Sequence, residues 1–109
     1  MINIAYNRKN LTVSVKGHAG SAPEGKDIVC SAVSILTYTL ASNAEMLCNG
    51  DSNCFKSDIR INEGEAYIHC NPKTSIKNVA RLMFDGICVG FDILSQKYPE
   101  YVGYVVLEG

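Results

Sequence analysis

The sequence predicts an α+β two-layer domain in which an antiparallel-rich sheet packs against two long helices, in the order ββαββαβ. Two long segments carry apolar residues at helical spacing, and short alternating runs flank them. The strands are not separated by a helix at every step, which favours α+β over a parallel α/β architecture. With 109 residues and 47% hydrophobic content, we expect one domain over residues 1–109 with one core layer.

Alternating apolar and polar residues, or turn residues at both ends, define each strand. The predicted strands cover residues 2–6, 11–16, 55–61, 66–70 and 101–107. Asn62, Glu63, Gly64 and Glu65 join the third and fourth strands and predict a hairpin turn there.

Two amphipathic helices follow from apolar stripes spaced three and four residues apart. The first helix is predicted from Ile28 to about Cys48, with the stripe Val29, Val33, Leu36, Leu40, Ala44 and Leu47. The second opens near Ser75 and is closed by Pro99, with the stripe Ile76, Ala80, Met83, Ile87, Phe91 and Leu94. Gly86 and Gly90 in the middle of this helix either allow close packing against a neighbouring element or weaken the helix.

A possible catalytic pair lies where the second predicted strand gives way to the first helix. His18 leaves the strand, a loop rich in glycine follows, and Cys30 falls in the first helical turn after Asp27, a good N-cap. A helix N-terminus and a neighbouring imidazolium both favour a thiolate. His18 can therefore activate Cys30 as a nucleophile and later protonate a leaving amine.

Helical geometry places Cys30 on an accessible flank, roughly 100° round from the centre of the apolar stripe. Ser34 is one turn further on and shares that flank, so its hydroxyl can touch the thiol or a substrate. Structural interpretations stay open at this point. Cys30 can be a small core residue, Ser34 can bond to a carbonyl of its own helix, and Asp27 can be only a cap.

The same stretch resembles a known family signature. Gly-His-Ala-Gly at 17–20, followed by Gly-Lys-Asp-Ile-Val-Cys-Ser-Ala-Val-Ser at 25–34, is similar to the motif of the ribosomal-processing cysteine protease family, Prp. The resemblance implies a homodimeric Cys/His peptidase that removes the N-terminal extension of large-subunit ribosomal protein twenty-seven, cutting after a hydrophobic, aromatic-containing motif. Relatives carried by bacteriophages can act on phage structural proteins, so the resemblance also leaves open a phage-type peptidase that processes a structural protein.

Carried over by position, the resemblance implies that Cys30 is the nucleophile and His18 its general base. Gly17, Asp27 and Ser34 match supporting positions. We expect the substrate to lie across the helix start, where amides are candidate oxyanion donors. The loop 19–26 would then act as a lid.

Composition excludes several function classes. With a net charge of -1 the sequence has no excess of basic residues, so we expect no direct nucleic-acid binding. The first residues lack the apolar run of a signal peptide and no segment is long enough to span a membrane, so we expect a cytoplasmic protein without a membrane partner.

The five cysteines predict neither a metal site nor a cofactor. Cys70 and Cys88 are interpreted as small core residues, and Cys48 and Cys54 flank a turn and can pair if oxidised. His69 is adjacent to Cys70 on a strand, so the two point to opposite faces, and no Cys-x-x-Cys occurs.

Two other functions remain alternatives to the peptidase. One is a non-catalytic, ribosome-associated binding module that uses the same groove. The other is a thiol redox sensor, which the lack of a resolving cysteine near Cys30 in sequence disfavours.

Overall fold

The computed structural model describes residues 1–17, 26–48 and 53–108, with the backbone alone at 26 and 27. Its elements are β1 (Ile2–Asn7), β2 (Thr12–Lys16), α1 (Lys26–Leu47), β3 (Cys54–Asn62), β4 (Glu65–Pro72), a 3₁₀ turn (Thr74–Ile76), α2 (Lys77–Lys97) and β5 (Val102–Leu107). The α+β class and the ββαββαβ order are confirmed.

The strands form one sheet in the order β3-β4-β2-β1-β5. Three of the four neighbouring pairs are antiparallel, and β5 lies parallel to β1. The parallel pair arises because α2 carries the chain back before β5 begins, as a parallel connection requires. The two hairpins therefore meet at β2 and β4, in the centre of the sheet.

Both helices cover one face of the sheet and pack against each other. Alternate strand residues point into this layer, and the fully buried ones include Ile4, Val13 and Ile68. From the helices, the buried residues are Val29, Val33, Leu40, Ala41, Ala44, Ala80, Phe84, Cys88 and Phe91. Four of the six predicted stripe residues of α1 are thus confirmed as core, whereas in α2 only Ala80 and Phe91 are buried and the other four stripe residues are partly buried against the core. Phe84, absent from the predicted stripe, stacks on Tyr6 at 6.1 Å between ring centroids.

Two element boundaries differ from the prediction. Leu11 is buried but has φ of 51°, a left-handed conformation that closes the first turn, so β2 begins at Thr12 rather than at Leu11. Helix α1 begins at Lys26, two residues before Ile28. Asp27 is therefore a residue of the first turn rather than the N-cap, a place where the helix dipole also favours a carboxylate.

A polar network ties α2 to the end of β1. The Tyr6 hydroxyl donates to Asp85 Oδ1 at 2.8 Å, and the Arg8 guanidinium donates to both carboxylate oxygens at 3.0–3.2 Å. These contacts lower the pKa of Asp85, chiefly through the hydrogen bonds from Arg8. Burial raises the pKa of the Tyr6 hydroxyl, which stays protonated as the donor.

Neither α1 nor α2 is apolar over a stretch long enough to cross a membrane, and the same holds for the rest of the described chain.

Candidate active site

A groove of about 420 Å³ opens where α1 faces the end of the β3–β4 hairpin. Its floor is apolar and is formed by the core residues Ile2, Val15, Val33 and Ala66. Its rim is polar and includes Asn62 and Glu63 of the hairpin turn. A groove of this size, with an apolar floor and a few polar groups, is typical of a binding site for a peptide side chain or small ligand.

Helix α1 supplies one wall of the groove. Cys30 and Ser34 lie one turn apart on the predicted flank, and both line the groove. Cys30 is half-buried against the core, whereas Ser34 is exposed. Within the described part of the chain the Ser34 hydroxyl has no hydrogen-bond partner, while Thr37 bonds back to the Val33 carbonyl at 2.7 Å. The Ser34 hydroxyl is therefore available to a ligand in the groove.

The groove wall opposite α1 includes Gly17 and the turn between β3 and β4, which are hydrogen-bonded to each other. Its amide donates to the Gly64 carbonyl at 2.9 Å, and both residues line the groove. Gly17 has φ of 102°, and a β-carbon there would collide with the Met1 carbonyl oxygen. Only glycine fits this position without distortion.

Of the five cysteines, Cys30 is the free thiol that is not fully buried. Cys48 and Cys54, which flank a turn in the sequence, form a disulfide. Cys70 and Cys88 are buried, as predicted. Burial raises the pKa of both thiols, that of Cys88 to about 12. Among the free thiols, Cys30 is therefore the candidate nucleophile, by its exposure and its place on the groove.

The remaining predicted site residues are only partly described. His18 and the loop 19–25 lie outside the described residues. Lys26 and Asp27 are described as the first turn of α1, without their side chains. The structure thus brings together Gly17, Cys30 and Ser34, and the roles of His18 and Asp27 stay predictions.

Sequence reasoning missed the groove wall that the β3–β4 turn forms. The turn itself was predicted at residues 62–65, but its position beside α1 depends on the sheet order, which no local pattern reveals. Tyr38 was missed as well. It lies two turns beyond Cys30, is 55% exposed and lines the groove. Its spacing of four residues from Ser34 was the available signal.

Comparisons with solved structures give three close matches in fold. SMU.848 of Streptococcus mutans is 26% identical, with a TM-score of 0.69 over 99% of this chain and 93% of that one. An essential ribosomal processing protease Prp from S. aureus, with a covalently linked product peptide, is 22% identical, with a TM-score of 0.67 over 96% of both chains. The S. aureus protease with a substrate peptide gives 20% identity and a TM-score of 0.66 over the same shares.

No curated protein matches the chain. The sequence model of one family, described as cysteine protease Prp, matches residues 1–103. That match spans both hairpins, both helices and the groove with its exposed thiol. The protein belongs to the cysteine protease Prp family.

Proposed function

We propose that this protease removes the N-terminal extension of a large-subunit ribosomal protein precursor, ribosomal protein twenty-seven, with Cys30 as nucleophile and His18 as general base. The observation that carries the proposal is the free, half-exposed thiol of Cys30 opening onto a groove with an apolar floor. The structural relatives from S. aureus, a ribosomal processing protease bound to peptides, support the same substrate class.

In the proposed reaction the Cys30 sulfur attacks the scissile carbonyl carbon and His18 takes the thiol proton. His18 then protonates the leaving amine, and water hydrolyses the thioester. His18 directly follows Gly17, which lines the groove, and consecutive Cα atoms are about 3.8 Å apart. This adjacency in the chain supports the assignment of His18 as the general base.

Oxyanion stabilisation is assigned to the start of α1. The first four amides of an α-helix, counted from the N-cap, have no intrahelical acceptor, and in α1 those of residues 26–28 are among them. Because Cys30 is the fifth helical residue, its own amide is not among them. The free amides just before the nucleophile are the candidate donors.

The shape and charge of the groove support a basic precursor with an apolar cleavage motif. Buried Val15, Val33 and Ala66 offer an apolar floor to a hydrophobic or aromatic side chain. Ribosomal proteins bind RNA and carry basic residues, which the exposed carboxylate of Glu63 on the rim complements. Glu65 contributes less because Lys16 faces it across the β2–β4 pair.

The test is cleavage of synthetic precursor peptides, read by mass spectrometry. Cys30→Ala is expected to bind the precursor and not cut it, and Cys30→Ser to be almost as inactive, since a hydroxyl is far harder to deprotonate. His18→Ala is expected to stop turnover, with residual activity that rises with pH. Cys88→Ala, a buried cysteine away from the groove, is the matched control and should cut normally per folded molecule.

Folded Cys30→Ala and His18→Ala proteins that cut at the wild-type rate would refute this assignment. A wild-type protein that cuts a phage structural protein and leaves the ribosomal precursor intact would overturn the substrate, while leaving the catalytic pair in place.

We further propose that the protease acts as a homodimer in the cytoplasm, where ribosomal precursors are made. An exposed apolar stripe on α2 supports a second copy as partner, because a two-fold axis would bury the same residues on both subunits. The stripe consists of Val79, Leu82, Val89 and Ile93, which are 46–73% exposed and share one side of the helix.

Light scattering at several protein concentrations tests the dimer. Leu82→Glu is expected to give a folded monomer. Met46→Glu is the matched control, since Met46 is 75% exposed on α1 rather than on α2, and should leave the dimer intact. A wild-type mass that equals one chain at every concentration would exclude the dimer.

A further inference from the structure

The sulfur atoms of Cys48, Cys54 and Cys70 lie within 4.8 Å of one another. They come from three separate places in the chain: the residue after α1, the first residue of β3 and the end of β4. Cys70 is fully buried, Cys54 is 8% exposed and Cys48 is half-buried. The cluster is therefore a small, mostly buried site with one side open to solvent.

A disulfide between Cys48 and Cys54 does not account for the third sulfur. Cys70 Sγ lies 3.1 Å from Cys48 Sγ and 3.8 Å from Cys54 Sγ. It thus sits beside the disulfide rather than along its axis, whereas thiol–disulfide exchange requires attack in line with the bond that breaks. The arrangement does not favour Cys70 as a resolving thiol.

The sulfur spacing fits a metal ion instead. At a Zn–S distance of about 2.3 Å, tetrahedral geometry separates two sulfur ligands by about 3.8 Å. The Cys54–Cys70 pair already has this separation. Once the disulfide is reduced, only the Cys48 sulfur has to move outward, and Cys48 is the half-buried member of the cluster, directly after α1.

We propose that Cys48, Cys54 and Cys70 form a three-thiolate site for a thiophilic divalent ion such as Zn²⁺ when the Cys48–Cys54 disulfide is reduced. The disulfide and metal-bound states exclude each other, because two of the three ligands are shared. A dithiol reductant supplies two electrons and two protons to the disulfide and becomes oxidised. Binding of Zn²⁺ then forms three Zn–S bonds and releases three protons.

The net charge of the loaded site favours a divalent ion over a monovalent one. Three thiolates around Zn²⁺ leave one net negative charge in a mostly buried site, whereas Cu⁺ would leave two, and burying charge is costly. Among the described residues the cluster contains no fourth ligand of the His, Cys, Asp or Glu type. Water entering beside Cys48 completes four-coordination, as at zinc sites with three protein ligands.

Sequence spacing concealed this site. No Cys-x-x-Cys is present, and His69 lies on the opposite face of β4, where Thr12 Oγ1 contacts its ring nitrogen Nδ1 at 2.9 Å. The ligands meet only because the antiparallel β3–β4 pair sets Ser57 opposite Cys70 and Cys54 opposite Pro72, while α1 ends above both strands.

The test uses the full chain carrying Cys30→Ala and Cys88→Ala, so that the three cluster cysteines are the only thiols. After anaerobic reduction we expect one Zn²⁺ per chain in competition with a chromophoric chelator. We also expect proton release in weak buffer and a higher melting temperature of the zinc-loaded protein. The oxidised form and Cys70→Ala on the same background should both lose this binding.

Zinc bound equally with and without Cys70 would overturn the three-sulfur site, because Cys48 and Cys54 alone would then suffice. A reduced protein that binds no zinc, or that binds Cu⁺ and not Zn²⁺, would overturn it as well. Circular dichroism confirms that each variant is folded. Should Cys70→Ala fail to fold, Cys48→Ala, at the half-buried edge of the cluster, tests the same loss of one ligand.

Discussion

Gly17 donates its backbone amide to the carbonyl of Gly64 at 2.9 Å, and this bond joins the residue before His18 to the hairpin turn on the groove wall that faces α1. The left-handed backbone of Gly17 and its contact with Met1 leave no room for a side chain. One glycine therefore holds the end of β2 against the hairpin turn and shapes the groove wall that faces α1.

Gly17→Ala is expected to lower both stability and turnover. The left-handed backbone alone costs an ordinary residue about 1–2 kcal/mol, and the collision with Met1 forces a shift of the strand end. We expect a lower denaturant midpoint and a loss of kcat/KM larger than the fraction unfolded explains. Turnover per folded molecule equal to that of wild type would show that Gly17 serves the fold alone.

Local pattern was enough to predict the elements of this fold. Both helical stripes and the two hairpins depend on contacts between residues close in sequence. The periodic spacing of apolar residues reflects such contacts directly. The order of the strands depends on long-range pairing between β1 and β5 and between β2 and β4, so it had to come from the structure.

The same distinction between local and long-range contacts applies to the site. Cys30 and Ser34 share one helix, so their juxtaposition follows from helical geometry. The placement of Glu63 beside them depends on how a hairpin lies against that helix. The meeting of Cys70 with Cys48 and Cys54 likewise requires three distant segments, and for that reason Cys70 taken alone resembled an ordinary core residue.

Alanine is expected to have unequal effects at Gly90 and Gly86, two positions of one helix. A β-carbon at Gly90 would lie 2.7 Å from Leu36 Cδ2, whereas one at Gly86 would meet nothing within 4 Å. Gly90→Ala is expected to be less favourable than Gly86→Ala, because the terminal methyl groups of Leu36 have to turn aside. Gly86→Ala should gain about 0.5–1 kcal/mol from helix propensity. Urea unfolding of both proteins measures the difference, and equal stabilisation by both would mean that Leu36 moves aside freely.

The Arg8–Asp85 pair predicts sensitivity to acid. Because the pKa of folded Asp85 is lowered, its contribution to stability is complete above the unfolded value of about 3.9 and is lost as the pH falls through the lower folded value. Asp85→Asn is expected to reduce stability at pH 7 and to flatten its decline in acid. Asp92→Asn, an exposed carboxylate on the same helix, is the control. Wild type and Asp85→Asn melting in parallel from pH 7 to pH 2 would contradict this role.

Glu63 predicts a charge preference at the groove rim. Glu63→Gln is expected to raise KM for a cationic peptide by up to about fivefold, the range of an exposed ion pair. Added salt should reduce the difference between the two proteins. Glu100→Gln, exposed beyond the end of α2, should leave KM unchanged. If Glu63→Gln raised KM equally for a neutral peptide, the effect would be one of shape rather than charge.

Ser34 tests whether the groove binds the reacting part of the substrate. Its exposed hydroxyl lies one turn from Cys30 and has no partner within the described chain, so removing it leaves no buried polar group unsatisfied. Ser34→Ala is expected to lower kcat/KM roughly two- to tenfold, the value of one hydrogen bond, with an unchanged melting temperature. Thr39→Ala is the matched control, since Thr39 is exposed on α1 and bonds back to the Ile35 carbonyl at 2.6 Å. A fall in kcat at constant KM would place the hydroxyl at the transition state, whereas identical kinetics of Ser34→Ala and Thr39→Ala would remove Ser34 from the site.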